Sequence, residues 1–382
     1  MVEQINIQFP GKLVFGKHCL SRLNTEILEM NPSAVLIITI EPLLISLQDL
    51  LNDLRANDIT VEVDTSIIRE PSFEDFEILL ISANIFNPDI VIGIGGGSVL
   101  DIAKLLAALI GNKQKLQDIV GIGLLKNRPK KLICLPATSG TGSEVSPNAI
   151  LVDNKDNQKK GIISPFLVPD IVYVDPLLTM SVPPGITAST GLDALTHCLE
   201  AYTNKFSHPF IDMYAYEGMR LIAANLVKAV EDGFDEDART NVAMGSLLGG
   251  FCLGPVNTAA VHALSYPLGS TFHLAHGLTN ALLLPYVMEY NLPASIRRYA
   301  SVAIALGCQH GKDEEQTAKE GIEKIKSLLQ ECNIPSRLRD VGIPETAIPQ
   351  LAEEAMKIQR LLKNNPRTIE LEDAVKIFKA AY

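Results

Sequence analysis

Histidine is scarce in this chain, with 7 copies in 382 residues, so the positions of its histidines are informative. Asp193 and His197 lie four residues apart in a strongly helical stretch, which places both side chains on one face of a helix. His262 and His276 follow further along, with His273 between them. One carboxylate and three imidazoles suit a divalent first-row transition metal that keeps one position open for a substrate.

Each of these residues also has an ordinary interpretation. A single histidine on an apolar helix is more often a hydrogen-bonded core residue than a metal ligand. Asp193 and His197 could form a simple contact between successive helical turns. Because helical spacing alone gives many false positives, the spacing leaves both interpretations open.

A glycine-rich loop indicates a second kind of chemistry, the binding of phosphate. The apolar run 90–94 leads into a short loop and then a helical stretch, with Gly95, Gly96, Gly97, Ser98 and Asp101 as the candidate binding residues. Glycine lets the backbone approach a phosphate closely, and the free N–H groups and dipole of the helix favour its charge. Glycine is equally useful in any tight turn. The usual dinucleotide fingerprint lies in the first βα unit. This loop follows two earlier strands, so either its ligand is not a dinucleotide or the fold is a variant.

A second polar loop, 137–144, follows the apolar run 132–135. Its hydroxyl groups could hold ribose, phosphate or carboxamide, and the candidate binding residues are Thr138, Ser139, Thr141 and Ser143. The alternative is an ordinary polar connection. Two such loops, each after a buried strand of one parallel sheet, would emerge at its carboxyl edge, where these sheets bind ligands.

The elements that must position these residues change in character near residues 181–185. Before that point, apolar strand-like runs at 35–40, 60–63, 89–94, 132–135 and 171–174 alternate with helical periodicity at 43–55, 73–86 and 98–109. This alternation predicts a parallel sheet covered by helices on both faces. Residues 185–382 are typical of consecutive helices. The sequence therefore predicts an α/β domain over residues 1–182 and an all-helical domain over residues 183–382.

Composition excludes several classes of function. Lys+Arg 33 against Asp+Glu 44 gives a net charge of −11, which repels phosphate backbones, so no nucleic-acid partner is expected. No segment approaches the roughly 20 apolar residues of a membrane span. Six cysteines are scattered without a C-x-x-C pair, and the N-terminus has no secretory pattern. We expect buried thiols and a cytoplasmic location.

Several of these motifs resemble those of the iron-containing (group III) alcohol dehydrogenases. Five motifs carry the resemblance in order along the chain, in the stretches 93–104, 138–144, 169–176, Thr190–Tyr202 and, for the last, His262–Leu264 with His276–Gly277. The resemblance implies a two-domain fold of the dehydroquinate-synthase-like type, with NAD or NADP on the α/β domain. It implies Fe²⁺, with Zn²⁺ as the alternative, held by Asp193, His197, His262 and His276.

The resemblance also implies roles for individual residues of the coenzyme site. Gly96, Gly97 and Ser98 would hold the pyrophosphate, together with Thr138 and Thr141, and Lys159 would reach a ribose. Two departures stand out. The family often has Asp after the threonine that ends the second strand, where this chain has Ile40 followed by Glu41. Loss of that carboxylate removes a hydrogen bond to NAD and a repulsion against NADP, and Glu41 could substitute for it.

The second departure concerns proton transfer. The family commonly reads His-Ala-Leu-Ala-His, whereas this chain has Tyr266 at the last position. His273 is then the candidate proton carrier, with solvent or a ribose hydroxyl as alternatives. The resemblance implies a dehydrogenase or aldehyde reductase that transfers a hydride between NAD(P) and a small alcohol or aldehyde. The chain would act as a homodimer or a higher homo-oligomer.

Three other interpretations are weaker. A carbon–oxygen lyase of the same fold would need several Lys and Arg residues for its anionic substrate, and residues 185–296 contain very few. A non-catalytic NAD-binding protein would bury the Asp and His set without a metal, which costs stability. That same set disfavours a metal-free reductase.

Overall fold

The computed structural model describes residues 4–155 and 158–382, so the first residues of the N-terminus considered above lie outside the described part. Its strands are β1 Lys12–Phe15, β2 Ala34–Ile38, β3 Thr60–Asp64, β4 Ile90–Gly95, β5 Gly121–Ile122, β6 Lys131–Pro136, β7 Asn148–Asp153, β8 Gln158–Ile163 and β9 Ile171–Val174. Its helices are α1 Leu23–Glu29, α2 Gln48–Ala56, α3 Phe73–Phe86, α4 Gly97–Leu109, α5 Pro184–Thr203, α6 Pro209–Glu231, α7 Glu236–Leu253, α8 Ala260–Phe272, α9 His276–Asn291, α10 Ile296–Ala305, α11 Glu314–Glu331, α12 Ile348–Met356, α13 Gln359–Leu362 and α14 Leu371–Ala381.

The main sheet is parallel, with the strand order β1-β9-β6-β4-β2-β3. In β2, Leu36 and Ile38 belong to one apolar cluster, while Val35 and Ile37 belong to the cluster on the other face. Both faces are therefore buried, which explains why the run is apolar at every position. The predicted fold class, a parallel α/β part followed by a helical part, is confirmed.

Some elements were not predicted from the sequence. The antiparallel pair β7–β8 and the short strand β5 form a second sheet, in the order β5-β8-β7. Strand β8 begins with three polar residues and is mostly half-buried, so it lacks the apolar run of a core strand. The stretch predicted as a helix from residue 43 starts with two short 3-10 turns, and α2 begins only at Gln48.

The chain forms two compact units. One contains the described residues of 8–138 and 143–180 and carries both sheets, and the other contains residues 4–7, 139–142 and 181–382 and is helical beyond residue 183. Residues 139–142 of the polar loop therefore count with the helical unit, although the strand before them belongs to the other. The division between residues 182 and 183 stays a prediction.

Helix α5 is the centre of the helical unit. It is buried along almost its whole length and packs against α6, α7 and α9. The approach of α9 to α5 depends on Gly277, because a Cβ at that position would lie 2.1 Å from the backbone oxygen of Ser189. Since Gly277 follows His276 directly, this contact also fixes the start of α9.

Two expectations from composition can be compared with the structure. None of the helices in the described residues has the length and hydropathy needed to cross a membrane. All six cysteines are free; five are buried as expected, but Cys308 is only half-buried because it lies just after the end of α10, in a loop.

We predict that Gly277→Ala destabilises the protein by roughly 2–4 kcal/mol, because the added Cβ forces α9 away from the backbone of α5. The matched control is Gly185→Ala, also in a helix, where a Cβ would meet nothing within 4 Å. The control should leave the Tm unchanged or slightly higher. Thermal unfolding followed by circular dichroism measures both variants, and equal Tm values would contradict the close approach of α9 to α5.

Candidate metal centre

Three helices of the helical unit bring the predicted ligands together. Helix α5 carries Asp193 and His197 on one face, α8 carries His262 near its start, and α9 begins at His276. The side chains of Asp193, His197 and His262 are almost wholly buried, whereas that of His276 is 26% exposed. The site is therefore closed to solvent on the side of α5 and accessible to solvent beside His276.

The donor atoms converge on the Asp193 carboxylate. Its Oδ1 lies 3.5 Å from Nε2 of His262, 3.7 Å from Nε2 of His276 and 3.7 Å from Nε2 of His197. Asp193, His262 and His276 form a group whose ligand atoms all lie within 4.8 Å of one another. Two ligands of one tetrahedral zinc ion are roughly 3.4 Å apart, so the observed spacing fits a single bound cation.

His197 lies beside this group rather than opposite it. Its ring stacks on that of His262, with centroids 4.8 Å apart and 20° between the planes. The ring of His262 in turn meets that of His276 at 5.2 Å and 61°. The three imidazoles thus share one side of the Asp193 carboxylate.

Asn280 shows independently that these acceptors face one point. Its side-chain nitrogen donates a hydrogen bond of 2.7 Å to Oδ1 of Asp193. The same nitrogen lies 3.1 Å from Nε2 of His262 and 3.3 Å from Nε2 of His276. One nitrogen, with two N–H bonds, thus lies within hydrogen-bonding distance of three acceptor atoms, which is the convergence of acceptors that a metal ion requires. Sequence reasoning missed Asn280, although it lies one helical turn after His276.

Glu200 is the second residue that sequence reasoning missed. Its buried carboxylate accepts a hydrogen bond of 2.6 Å from Nδ1 of His262 and further bonds from the backbone N–H groups of Ala259 and Val261. In the neutral ring that a metal binds, this pairing keeps the proton on Nδ1 and leaves the lone pair on Nε2, and a carboxylate behind a ligating histidine commonly fixes its tautomer. The signal was available, because Asp193, His197 and Glu200 share one face of α5.

The charges of the site favour a cation. Burial would lower the pKa of His262, but Glu200 and Asp193 outweigh it and raise the pKa to about 10. Burial would raise the pKa of Asp193, yet the neighbouring His197, His276 and His262 hold that pKa well below its usual range. Burial lowers the pKa of His197. Two buried carboxylates around the imidazoles therefore suit a divalent ion, and the donor set of nitrogen and oxygen atoms fits iron or zinc.

Tyr266 borders this group. Tyr266 lies one turn after His262 on α8, and its ring is 5.7 Å from that of His276. His273 ends α8 in the left-handed conformation, with a φ of 55°, and it is exposed. A proton-carrying role for His273 stays a prediction.

In the α/β unit, the two predicted loops leave neighbouring strands. Strands β4 and β6 pair in parallel, with Gly95 beside Pro136, and the loops follow directly. Gly96 lies before α4 without a side-chain cap, and a Cβ on it would be 3.5 Å from Oγ1 of Thr138. Gly95 is buried, and a Cβ there would meet Val99, so packing alone requires glycine at that position.

Asp101 and Ser143 bond to each other. Oγ of Ser143 donates to Asp101 at 2.5 Å, and the backbone N–H of Ile150 donates to the same carboxylate at 2.9 Å. The buried Lys104 donates to Ser143 at 2.8 Å and to the backbone oxygens of Ser146 and Asn148. These contacts join α4 to the end of the polar loop and to the chain after it, and a role for Asp101 and Ser143 in coenzyme binding stays a prediction.

The remaining predicted coenzyme residues are more scattered. Lys159 lies on β8, and its Nζ pairs with Glu70. Ile40 and the exposed Glu41 follow β2, which is the neighbour of β4 in the sheet. Ser98, in the first turn of α4, and Thr141, in the polar loop, are half-buried. A role in coenzyme binding stays a prediction for each of these residues.

Comparison with known families matches nearly the whole chain. A family model described as "Iron-containing alcohol dehydrogenase" matches residues 10–176. A second one, described as "Fe-containing alcohol dehydrogenase family, C-terminal", matches residues 187–382.

Individual proteins are similar over their full length. Long-chain-alcohol dehydrogenase 1 of Geobacillus thermodenitrificans is 37% identical, covering 98% of this chain and 96% of its own. Sulfoacetaldehyde reductase of Bilophila wadsworthia is 30% identical, covering 97% of each chain. A crystal structure of 1,3-propanediol oxidoreductase superposes with a TM-score of 0.95 at 31% identity and covers 100% of both chains. A sulfoacetaldehyde reductase from Bifidobacterium kashiwanohense in complex with NAD⁺ gives a TM-score of 0.88 at 27% identity, with 99% of both chains covered.

We predict that Glu200→Gln weakens metal binding roughly tenfold to hundredfold, because the amide no longer offers His262 a carboxylate. A competitive chelator titration of the folded protein measures this affinity without reference to turnover. Glu217→Gln is the matched control, since Glu217 is an exposed carboxylate that pairs with Arg220. Equal metal affinities in the two variants would show that Glu200 only caps the start of α8.

Proposed function

The chain belongs to the iron-containing alcohol dehydrogenase family, and on that premise we propose that its metal is Fe²⁺, held by Asp193, His197, His262 and His276. The predicted family and reaction class are confirmed: the protein is an oxidoreductase that interconverts alcohols and aldehydes. Zn²⁺ is the alternative metal, because zinc generally binds such ligands more tightly than iron and availability decides.

One observation carries this proposal, the convergence of three imidazole nitrogens on the buried Asp193 carboxylate. A buried carboxylate among imidazoles is costly unless a cation or hydrogen bonds satisfy it. Here Asn280 satisfies only one of its oxygens directly. The donor set therefore supports a metal site rather than a structural cluster.

In this proposal the metal, the coenzyme and the side chains of the site each have a distinct role in the reaction. A bound metal would act as a Lewis acid toward the substrate oxygen, and NAD(P) would exchange a hydride with the carbon that carries it. Asp193 and Glu200 supply the negative charge that retains a divalent ion. The burial of Asp193, His197 and His262 excludes water from the inner side of the site, while the more exposed His276 marks the side from which substrate arrives.

The proton that accompanies the hydride needs a carrier. Tyr266 stands where the family commonly has a histidine, and we propose His273 as the carrier, with solvent and a ribose hydroxyl as alternatives. The exposure of His273 at the end of α8 supports exchange with solvent.

Coenzyme binding belongs to the α/β unit in this proposal. The glycine loop before α4 would hold the pyrophosphate, since Gly96 leaves the first N–H groups of α4 without a side-chain cap. The parallel strands β4 and β6 bring Thr138 to the same edge. Lys159 would reach a ribose, in which case its ion pair with Glu70 sets its position.

The relatives do not share one substrate. Their names refer to long-chain alcohols, sulfoacetaldehyde and 1,3-propanediol. We propose a small alcohol or aldehyde here, and a homodimer or higher homo-oligomer in the cytoplasm. Self-association is supported by Ile78, Ile81 and Ile85, which lie on one face of α3 and are each more than 60% exposed. Sedimentation velocity measures the oligomeric state.

We predict that His276→Ala abolishes stoichiometric metal binding and lowers kcat/KM by at least about a hundredfold, because losing one imidazole removes a ligand outright. Elemental analysis of the purified variant, together with alcohol and aldehyde assays, checks both quantities. His310→Ala is the control, since His310 is exposed in a loop after α10. A His276→Ala enzyme with full metal content and normal turnover would contradict the ligand assignment.

We also predict that the enzyme uses NADPH detectably and that Ile40→Asp shifts its preference toward NADH by roughly tenfold or more. The added carboxylate would accept a hydrogen bond from the ribose and repel a 2′-phosphate. The ratio of kcat/KM for the two coenzymes is the measurement, with Glu41→Gln as the companion variant. If Ile40→Asp leaves the ratio unchanged while Glu41→Gln changes it, the carboxylate of Glu41 contacts the ribose instead.

A further inference from the structure

The open side of the metal centre has a definite boundary within the helical unit. His276 is the most exposed of the proposed ligands, so a substrate approaches along its ring. Tyr266 tilts against that ring at 5.7 Å and 57°. The phenol therefore lies at the exposed side of the metal group, where the far end of a substrate would extend.

Arg360 lies directly behind this phenol. It belongs to α13, which packs against α8, the helix of Tyr266. Its Nη2 donates to the hydroxyl of Tyr266 at 3.4 Å, and its guanidinium carbon is 5.9 Å from the centre of the tyrosine ring. The ring of Tyr266 thus lies between the positive charge of Arg360 and the imidazole of His276.

The guanidinium of Arg360 has no ion-pair partner within the residues that the structure describes. Arg298 and Arg220, by contrast, pair with Asp212 and Glu217. Asp193 and Glu200, the buried carboxylates of the site, are engaged by imidazoles. The half-buried Arg360 therefore has guanidinium N–H groups available to a ligand. Their planar, forked arrangement matches the oxygens of a carboxylate or sulfonate.

The negative charge of the whole chain makes a positively charged side chain at the site significant for substrate binding. A net charge of −11 repels anionic molecules at long range, so an anionic substrate needs a specific attraction at the site. The sparse basic residues of 185–296 supply little, and Arg360 comes from outside that segment. The fold places it beside the site, where the sequence gives no hint of it.

We propose that Arg360 makes this enzyme selective for aldehydes and alcohols that carry an anionic group at the end distant from the reacting carbon. This inference rests on the proposed function and names its substrate class. In the reduction of such an aldehyde, the coenzyme gives a hydride to the carbonyl carbon, and the carbonyl oxygen takes a proton. The anionic end takes no part in the reaction and binds the guanidinium of Arg360.

The test compares two aldehydes of equal chain length, 4-oxobutanoate and butanal, in wild type, Arg360→Gln and Arg360→Lys. Isothermal calorimetry measures the binding of the alcohol 4-hydroxybutanoate in parallel, so that affinity is known apart from turnover. Arg337→Gln is the matched control, because Arg337 also lies over a tyrosine ring, that of Tyr286, at 5.8 Å.

We expect wild type to prefer 4-oxobutanoate. Arg360→Gln should lower its kcat/KM and the affinity for 4-hydroxybutanoate roughly tenfold to hundredfold, with butanal unaffected. Arg360→Lys should keep part of the preference, and high salt should reduce it. Equal losses for both aldehydes, or a wild type without the preference, would overturn the proposal. If wild type reduces neither aldehyde, the proposed activity fails, and the calorimetry still decides whether Arg360 binds the anion.

Discussion

The burial of the Asp193 carboxylate is the constraint on which the helical unit depends. A carboxylate in a protein interior is costly unless it is satisfied, and here imidazoles from α5, α8 and α9 and the amide of Asn280 all lie next to its Oδ1. These three helices must approach closely for that to happen. Gly277 allows it between α9 and α5, and Glu200 holds the start of α8 against α5.

The α/β unit has a different constraint. Backbone N–H groups must be exposed at the edge of the sheet while the core behind them stays tightly packed. A Cβ at Gly93 would lie 2.7 Å from that of Ala103, and one at Gly95 would meet Val99, so these glycines let β4 lie close to α4. Lys104 is fully buried and donates to three acceptors, Ser143 in the polar loop and the backbone oxygens of Ser146 and Asn148 after it. Gly93, Gly95 and Lys104 thus serve packing and hydrogen bonding within this unit.

Much of this was visible in the sequence because the signals are local. The helical pattern of residues 73–86 and the apolar runs of β2 and β4 predicted those elements closely. The spacing of Asp193 and His197 predicted their shared helix face. Arg360 and Asn280 could not be assigned, since only the packing of α13 on α8 and of α9 on α5 gives them neighbours. Strands β7 and β8 were missed because partial burial leaves polar residues in them.

X-ray absorption at the iron edge of the Fe²⁺-loaded protein tests the central claim most directly, because it reports the atoms bound to the metal. We expect only nitrogen and oxygen neighbours at roughly 2.0–2.2 Å, with the outer-shell scattering typical of several imidazoles. The variant Asp193→Asn should fail to hold the metal under the same conditions. Sulfur among the neighbours, or an unchanged spectrum in the variant, would contradict a centre built on Asp193 and its histidines.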